Sequence, residues 1–219
     1  MALKKLIYLI LIFSVTLSCA SKKTVEISQK WKGALLLSSG VRLPITFELN
    51  FKASDSTFIL INGSERLTYK IQNGNNNDYK VKLEPYNSEL NFTVSASNIQ
   101  GTWTNYTKST DYKISFEASS SVEEKSINEK GESLKFQIQF GTGKDAYPAI
   151  LLLKQEKKNL SGTIKTETGD YRYLWGKQEG DSIWLGCFDG AHAFLFTALQ
   201  KDDSLKNGFF YSSNHYKDT

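Results

Sequence analysis

The chain has 219 residues with 27 Lys and Arg against 23 Asp and Glu, a formal charge of +4, two cysteines and two histidines. Acidic and basic residues are interspersed, which argues against the concentrated basic face that nucleic-acid binding needs. No C-x-x-C is present and neither histidine has a partner at metal-ligand spacing, so no metal, redox centre or other cofactor is expected.

Residues 1–18 read as an export signal. Lys4 and Lys5 are followed by an unbroken apolar run from Leu6 to Phe13, too short to span a bilayer comfortably. Thr16-Leu17-Ser18-Cys19 resembles a lipobox, in which Cys19 would carry diacylglycerol and become the new N-terminus. The membrane is then the first expected partner, reached through the lipid. Residues 19–30 are polar and read as a tether without an acidic cluster, which favours the periplasmic side of a Gram-negative envelope. Losing residues 1–18 removes Lys4 and Lys5, so the charge falls by two to +2.

The rest is written as strands. Short alternating or continuous apolar segments at 33–37, 45–51, 57–61, 67–71, 79–83, 90–94 and 113–116 are followed by others at 134–140, 150–154, 160–165, 171–177, 182–188, 193–199 and 205–211. Turn chemistry separates them, as at Asn62-Gly63, Asn73-Gly74, Thr168-Gly169-Asp170, Glu179-Gly180-Asp181 and Asp189-Gly190. An all-β antiparallel meander follows. Its halves form a sandwich or barrels, since either disposes of the sheet edges.

The meander reads as a duplication. Pro44 answers Pro148, Gly63 answers Gly169, Tyr86 answers Phe188 and Gly101 answers Gly208, at offsets of 104, 106, 102 and 107. The first repeat is assigned to 31–117, a linker to 118–132 with only Val122 and Ile127 as large apolar residues, and the second repeat to 133–219.

With Cys19 committed to lipid, Cys187 has no disulfide partner, and its setting in Ile183-Trp184-Leu185-Gly186-Cys187-Phe188 suits a packing residue. Asp189-Gly190-Ala191-His192 puts a carboxylate and an imidazole on one turn, an arrangement able to move protons; the first half has no matching histidine, and a structural hairpin is the preferred reading. Gly101-Thr102-Trp103 is similar to the G-x-W corner of ligand-holding barrels, with a plain core tryptophan as the preferred reading. Asp189, His192, Trp103 and Arg172 are the candidate binding residues, and no catalytic residue is assigned. Asp55-Ser56-Thr57, Asp181-Ser182-Ile183 and Asp203-Ser204-Leu205 resemble the acceptor triplet of a periplasmic O-glycosylation system, although a turn entering a strand also explains each.

From Trp31-Lys32-Gly33 through Ile61-Asn62-Gly63-Ser64-Glu65-Arg66 and Gly101-Thr102-Trp103 to Thr168-Gly169-Asp170-Tyr171-Arg172-Tyr173-Leu174 and Cys187-Phe188-Asp189-Gly190-Ala191-His192, the chain resembles the N-terminal β region of TlpA/ResA-like thiol-disulfide oxidoreductase lipoproteins. The likeness covers about residues 31–212. It implies a place in an envelope redox system and an envelope protein partner. The thioredoxin domain and its C-x-x-C have no counterpart in the sequence. The expectation is a non-catalytic, membrane-anchored module that binds or scaffolds. The alternatives are a barrel holding a small apolar or sugar ligand, and an oxidoreductase shorn of its thioredoxin part.

Overall fold

The computed structural model describes residues 27–37, 40–52, 55–74, 77–121, 131–212 and 217–218. The expected export signal, Cys19, residues 20–26 of the expected tether, Val122 and Ile127 of the expected linker, and His215 lie outside the described residues.

Alternating apolar residues build the strands. In β2 (Arg42–Phe51) Leu43, Ile45, Phe47 and Leu49 are buried while the residues between them are not, the period-two pattern of a strand with one face on a core. The first meander runs through β1 (Ile27–Leu36), β2, β3 (Thr57–Asn62), β4 (Glu65–Asn73), β5 (Asp78–Lys82), β6 (Ser88–Ser95), β7 (Asn98–Asn105) and β8 (Lys113–Ser121). Strand β8 pairs back onto β1, with Gly33 opposite Ala118, and closes an eight-stranded barrel. Trp31, Phe47, Phe58, Phe92, Trp103 and Phe116 fill its interior.

The second meander consists of β9 (Glu132–Phe140), β10 (Tyr147–Glu156), β11 (Asn159–Thr166), β12 (Asp170–Glu179), β13 (Ser182–Phe188), β14 (Ala193–Lys201), β15 (Ser204–Ser212) and the two-residue β16 (Lys217–Asp218). It curls into a nearly closed barrel in which β9 and β15 approach each other without pairing, and β16 pairs with the outer edge of β15 at Phe210 and Tyr211. The all-β meander in two halves is therefore observed, and both halves are barrel-like rather than sandwiches. The duplication holds at the level of topology. Pro44 and Pro148 sit on the second strand of each meander, Gly63 and Gly169 on the third turn, Tyr86 and Phe188 at the end of the fifth strand or just beyond it, and Gly101 and Gly208 on the seventh strand.

Three expectations need correction. Strand β7 was not anticipated, because Asn98, Gln100, Thr102 and Asn105 give it a loop-like composition; Ile99 and Trp103 are its only buried apolar residues. Strand β1 begins inside the supposed tether, at Ile27, and β8 and β9 run into the supposed linker, to Ser121 and from Glu132. Barrel closure explains part of this. Pairing of Lys30 with Ser121 satisfies backbone groups whatever the side chains are.

The barrels are joined by a pair of strands with two apolar faces. Ile183, Leu185 and Cys187 belong to the second core, while Phe188, Ala193 and Leu195 belong to the first. Burial on both faces is why residues 183–188 read as one continuous apolar run.

Candidate functional site

Three buried polar side chains of the first barrel seize the β13–β14 turn. The Asn62 Oδ1 accepts from the Phe188 N–H at 3.3 Å, the Ser88 hydroxyl donates to the Gly190 carbonyl at 2.5 Å, and the Asn105 amide donates to the Ala191 carbonyl at 3.0 Å. All three side chains are almost fully buried, so each bond is one whose loss would leave an unsatisfied buried group. Gly190 takes a φ of +94°, and a Cβ there would lie 3.1 Å from that of Leu83, so this turn requires glycine twice over, for its conformation and for its close approach.

The clamped turn fixes an acid–imidazole pair. Asp189 Oδ1 accepts the backbone N–H groups of Ala191 at 2.8 Å and His192 at 2.7 Å, and its Oδ2 lies 3.0 Å from His192 Nδ1. Burial works to raise the Asp189 pKa, but the bonds from the His192 side chain and from the two backbone N–H groups outweigh it and hold the carboxyl below its ordinary value. The bond to Asp189 raises His192 above its ordinary value, against a smaller opposing effect of desolvation. The imidazole also stacks on Phe194, with centroids 5.1 Å apart.

The pair lies in a cleft of about 400 Å³ between the barrels. Glu65 and Tyr86 come from the first barrel, and Asp170, Tyr171, Arg172, Tyr173, Cys187 and Phe194 from the second. Its acidic end is felt nearby: Tyr69 is pushed up to about 12 by burial first, then by Tyr86, Asp189 and Glu65. Arg172 stands 3.9 Å from Asp170 with its side chain mostly exposed, a weak pair that leaves the guanidinium open to a partner.

Tyr173 is the conformational outlier. The register slips between β11 and β12, so that Gly162 faces Leu174 while Ile164 faces Tyr171, a β-bulge. Tyr173 sits in it with φ +54°, half exposed, and borders both this cleft and a neighbouring groove of about 720 Å³ beside Asn62, Gly63 and Ser64. An aromatic side chain in the left-handed region costs about 1–3 kcal/mol.

Of the four candidate binding residues, Arg172, Asp189 and His192 line one cleft. Trp103 does not; it is fully buried in the first barrel, edge-on to Phe188 at 5.1 Å. Its G-x-W triplet therefore belongs to a core strand, because the barrel around it is filled. Glu65, Tyr86 and Tyr173 went unrecognised. Glu65 and Tyr86 approach only through tertiary packing, whereas the bulge had a signal: Tyr171 and Leu174 both face inward, three residues apart, which breaks the period of two. Of the glycosylation triplets, Ser56 is buried with its hydroxyl bonded to the Lys52 carbonyl at 3.0 Å, while Ser182 and Ser204 are exposed beside turns.

Two outcomes follow. His192 contributes stability that is complete below its ordinary value of 6.5 and is lost as pH rises through its raised folded value; the contribution of Asp189 is present above 3.8 and is lost as pH falls through its lowered one. The melting-temperature gap between wild type and His192→Ala is therefore wider at pH 5 than at pH 9, and equal gaps would refute the pairing. Burial, then Asp189 and Glu65, push the Cys187 thiol well above its ordinary range. Iodoacetamide at pH 8 should leave the Cys187 peptide unmodified in native protein and alkylate it after denaturation, as read by peptide mass.

Among the described residues no group of three or more His, Cys, Asp or Glu side chains could hold a metal ion. No family model, curated protein or solved structure matches the chain.

Proposed function

We propose that the chain is a non-catalytic, lipid-anchored binding module of the cell envelope, and that it recognises an envelope protein partner through the cleft between its barrels. The observation that carries this reading is Tyr173, whose strained backbone holds a half-exposed ring at the rim of two adjoining depressions. Backbone strain of this kind persists where the surroundings enforce it, and it concentrates at functional positions. The neighbours suit a protein partner: tyrosine and arginine dominate the energetics of such interfaces, and Tyr86, Tyr173 and Arg172 supply both.

The anchoring rests on the export signal and Cys19 in the sequence. The place in a thiol–disulfide system rests on the resemblance of residues 31–212 to the β region of TlpA/ResA-like lipoproteins. In that setting the chain binds or scaffolds, because its buried Cys187 is a packing residue.

Site-specific photo-crosslinking in intact cells tests the reading. A benzophenone side chain at position 173 should yield a discrete protein adduct. The same group at Asn98, exposed on the β6–β7 side of the first barrel, should not. Equal yields at both positions, or none at 173, would sink it. Incorporation of an alkyne fatty acid that is lost in Cys19→Ala tests the anchor.

A further inference from the structure

A second site lies inside the second barrel, away from the junction. The first barrel is packed solid by two tryptophans and several phenylalanines. The second has a cavity of about 280 Å³ that opens at the seam where β9 and β15 do not pair with each other, β16 pairing with β15 there only at Phe210 and Tyr211. It shares no residue with the junction cleft. Tyr171, packed on Phe140 at 5.9 Å and on Phe196 at 5.2 Å, forms an aromatic layer between them.

We propose that this cavity binds one neutral, largely apolar molecule of about nine heavy atoms, with an uncharged polar end at the seam. The size follows from the volume. An apolar cavity of about 150 Å³ takes up benzene, and a water-sized group occupies about 30 Å³. The apolar class follows from the walls, where Leu151, Ile164, Ile183, Leu185, Ala198 and Phe210 face the space. The neutrality follows from the complete lining, in which no side chain is charged. A buried carboxylate or ammonium would have no counter-charge there and would stay in water. The polar end follows from the rim, where Gln137, Gln139 and Thr197 offer amide and hydroxyl groups. Gln137 and Gln139 are exposed on the edge strand β9, where a ligand's end can meet them without distorting the barrel.

Isothermal titration of the full chain with 1-octanol, and with octanoate as a charged match of equal length, tests this at pH 7. One equivalent of 1-octanol should bind with a Kd of about 100 µM or tighter, as a modest efficiency per atom gives for nine heavy atoms, and octanoate at least about tenfold more weakly. Ala198→Phe, which fills the space, should abolish octanol binding. Should that variant fail to fold, Gln137→Lys with Gln139→Lys on the exposed rim should shift the octanoate-to-octanol affinity ratio about threefold toward octanoate, and an unchanged ratio would overturn the proposal. Octanol binding weaker than about 1 mM, octanoate binding as tight as octanol, or full octanol binding by folded Ala198→Phe would overturn the proposal. So would association of the chain into dimers through the seam with no octanol bound.

Discussion

Phe188→Ala is expected to lower stability by about 3–5 kcal/mol and to split a single unfolding transition into two. Phe188 is encoded in the second meander but packs in the core of the first barrel, 1% exposed. Its ring meets Trp103 edge-to-face at 81°, a geometry that adds about 0.5–1.5 kcal/mol beyond the area buried, and its N–H is held by Asn62. Removing the ring opens a cavity where the largest fully buried side chain of the second meander enters the first core, beside Ala193 and Leu195. Cooperativity between barrels depends on that shared packing, since separate units unfold separately once their coupling is lost. Calorimetry should show two peaks in the variant. A single peak displaced by less than about 1 kcal/mol would mean that the barrels are coupled elsewhere.

Gly33→Val has the second largest expected effect, a loss of about 3 kcal/mol or more, confined at first to the seam that closes the first barrel. A Cβ on Gly33 would lie 2.1 Å from the Glu117 carbonyl oxygen and 2.6 Å from the Ala118 Cβ. These are backbone and near-backbone atoms of β8, and they cannot swing aside as the end of a long side chain could. The strands must separate, which takes apart the ladder from Lys30–Ser121 to Leu35–Phe116. Hydrogen exchange should therefore accelerate in β1 and β8 before it does in β3 and β4. Uniform protection in the variant would show that closure tolerates the side chain.

Much of this architecture could be read from residue order. Alternation in segments such as 45–51 revealed strands, glycine and asparagine marked the turns, and the weak duplication gave two meanders with matched strand positions. What stayed hidden depends on contacts between the halves. Nothing local distinguishes Asn62, Ser88 and Asn105 from surface turn residues, yet each is buried and bonded to a turn about 86–126 residues away. Strand β7 was missed because barrel closure supplies backbone partners that its composition does not advertise. Asp189 and His192 stood out as a tetrapeptide, and the structure keeps them together; Trp103 stood out through a motif, and the structure buries it.

The most direct test of the central claim, that the junction is shaped for recognition rather than for stability, is a paired measurement on Tyr173→Gly. Glycine accepts the left-handed backbone freely, so relief of strain, less the added entropy of the unfolded chain, should raise stability by about 1 kcal/mol, or about 2–4 °C in melting temperature. The yield of partner adduct from a benzophenone at the neighbouring Tyr86 position should fall at the same time. A variant that melts lower than wild type, or one that keeps its full adduct yield, would contradict the account.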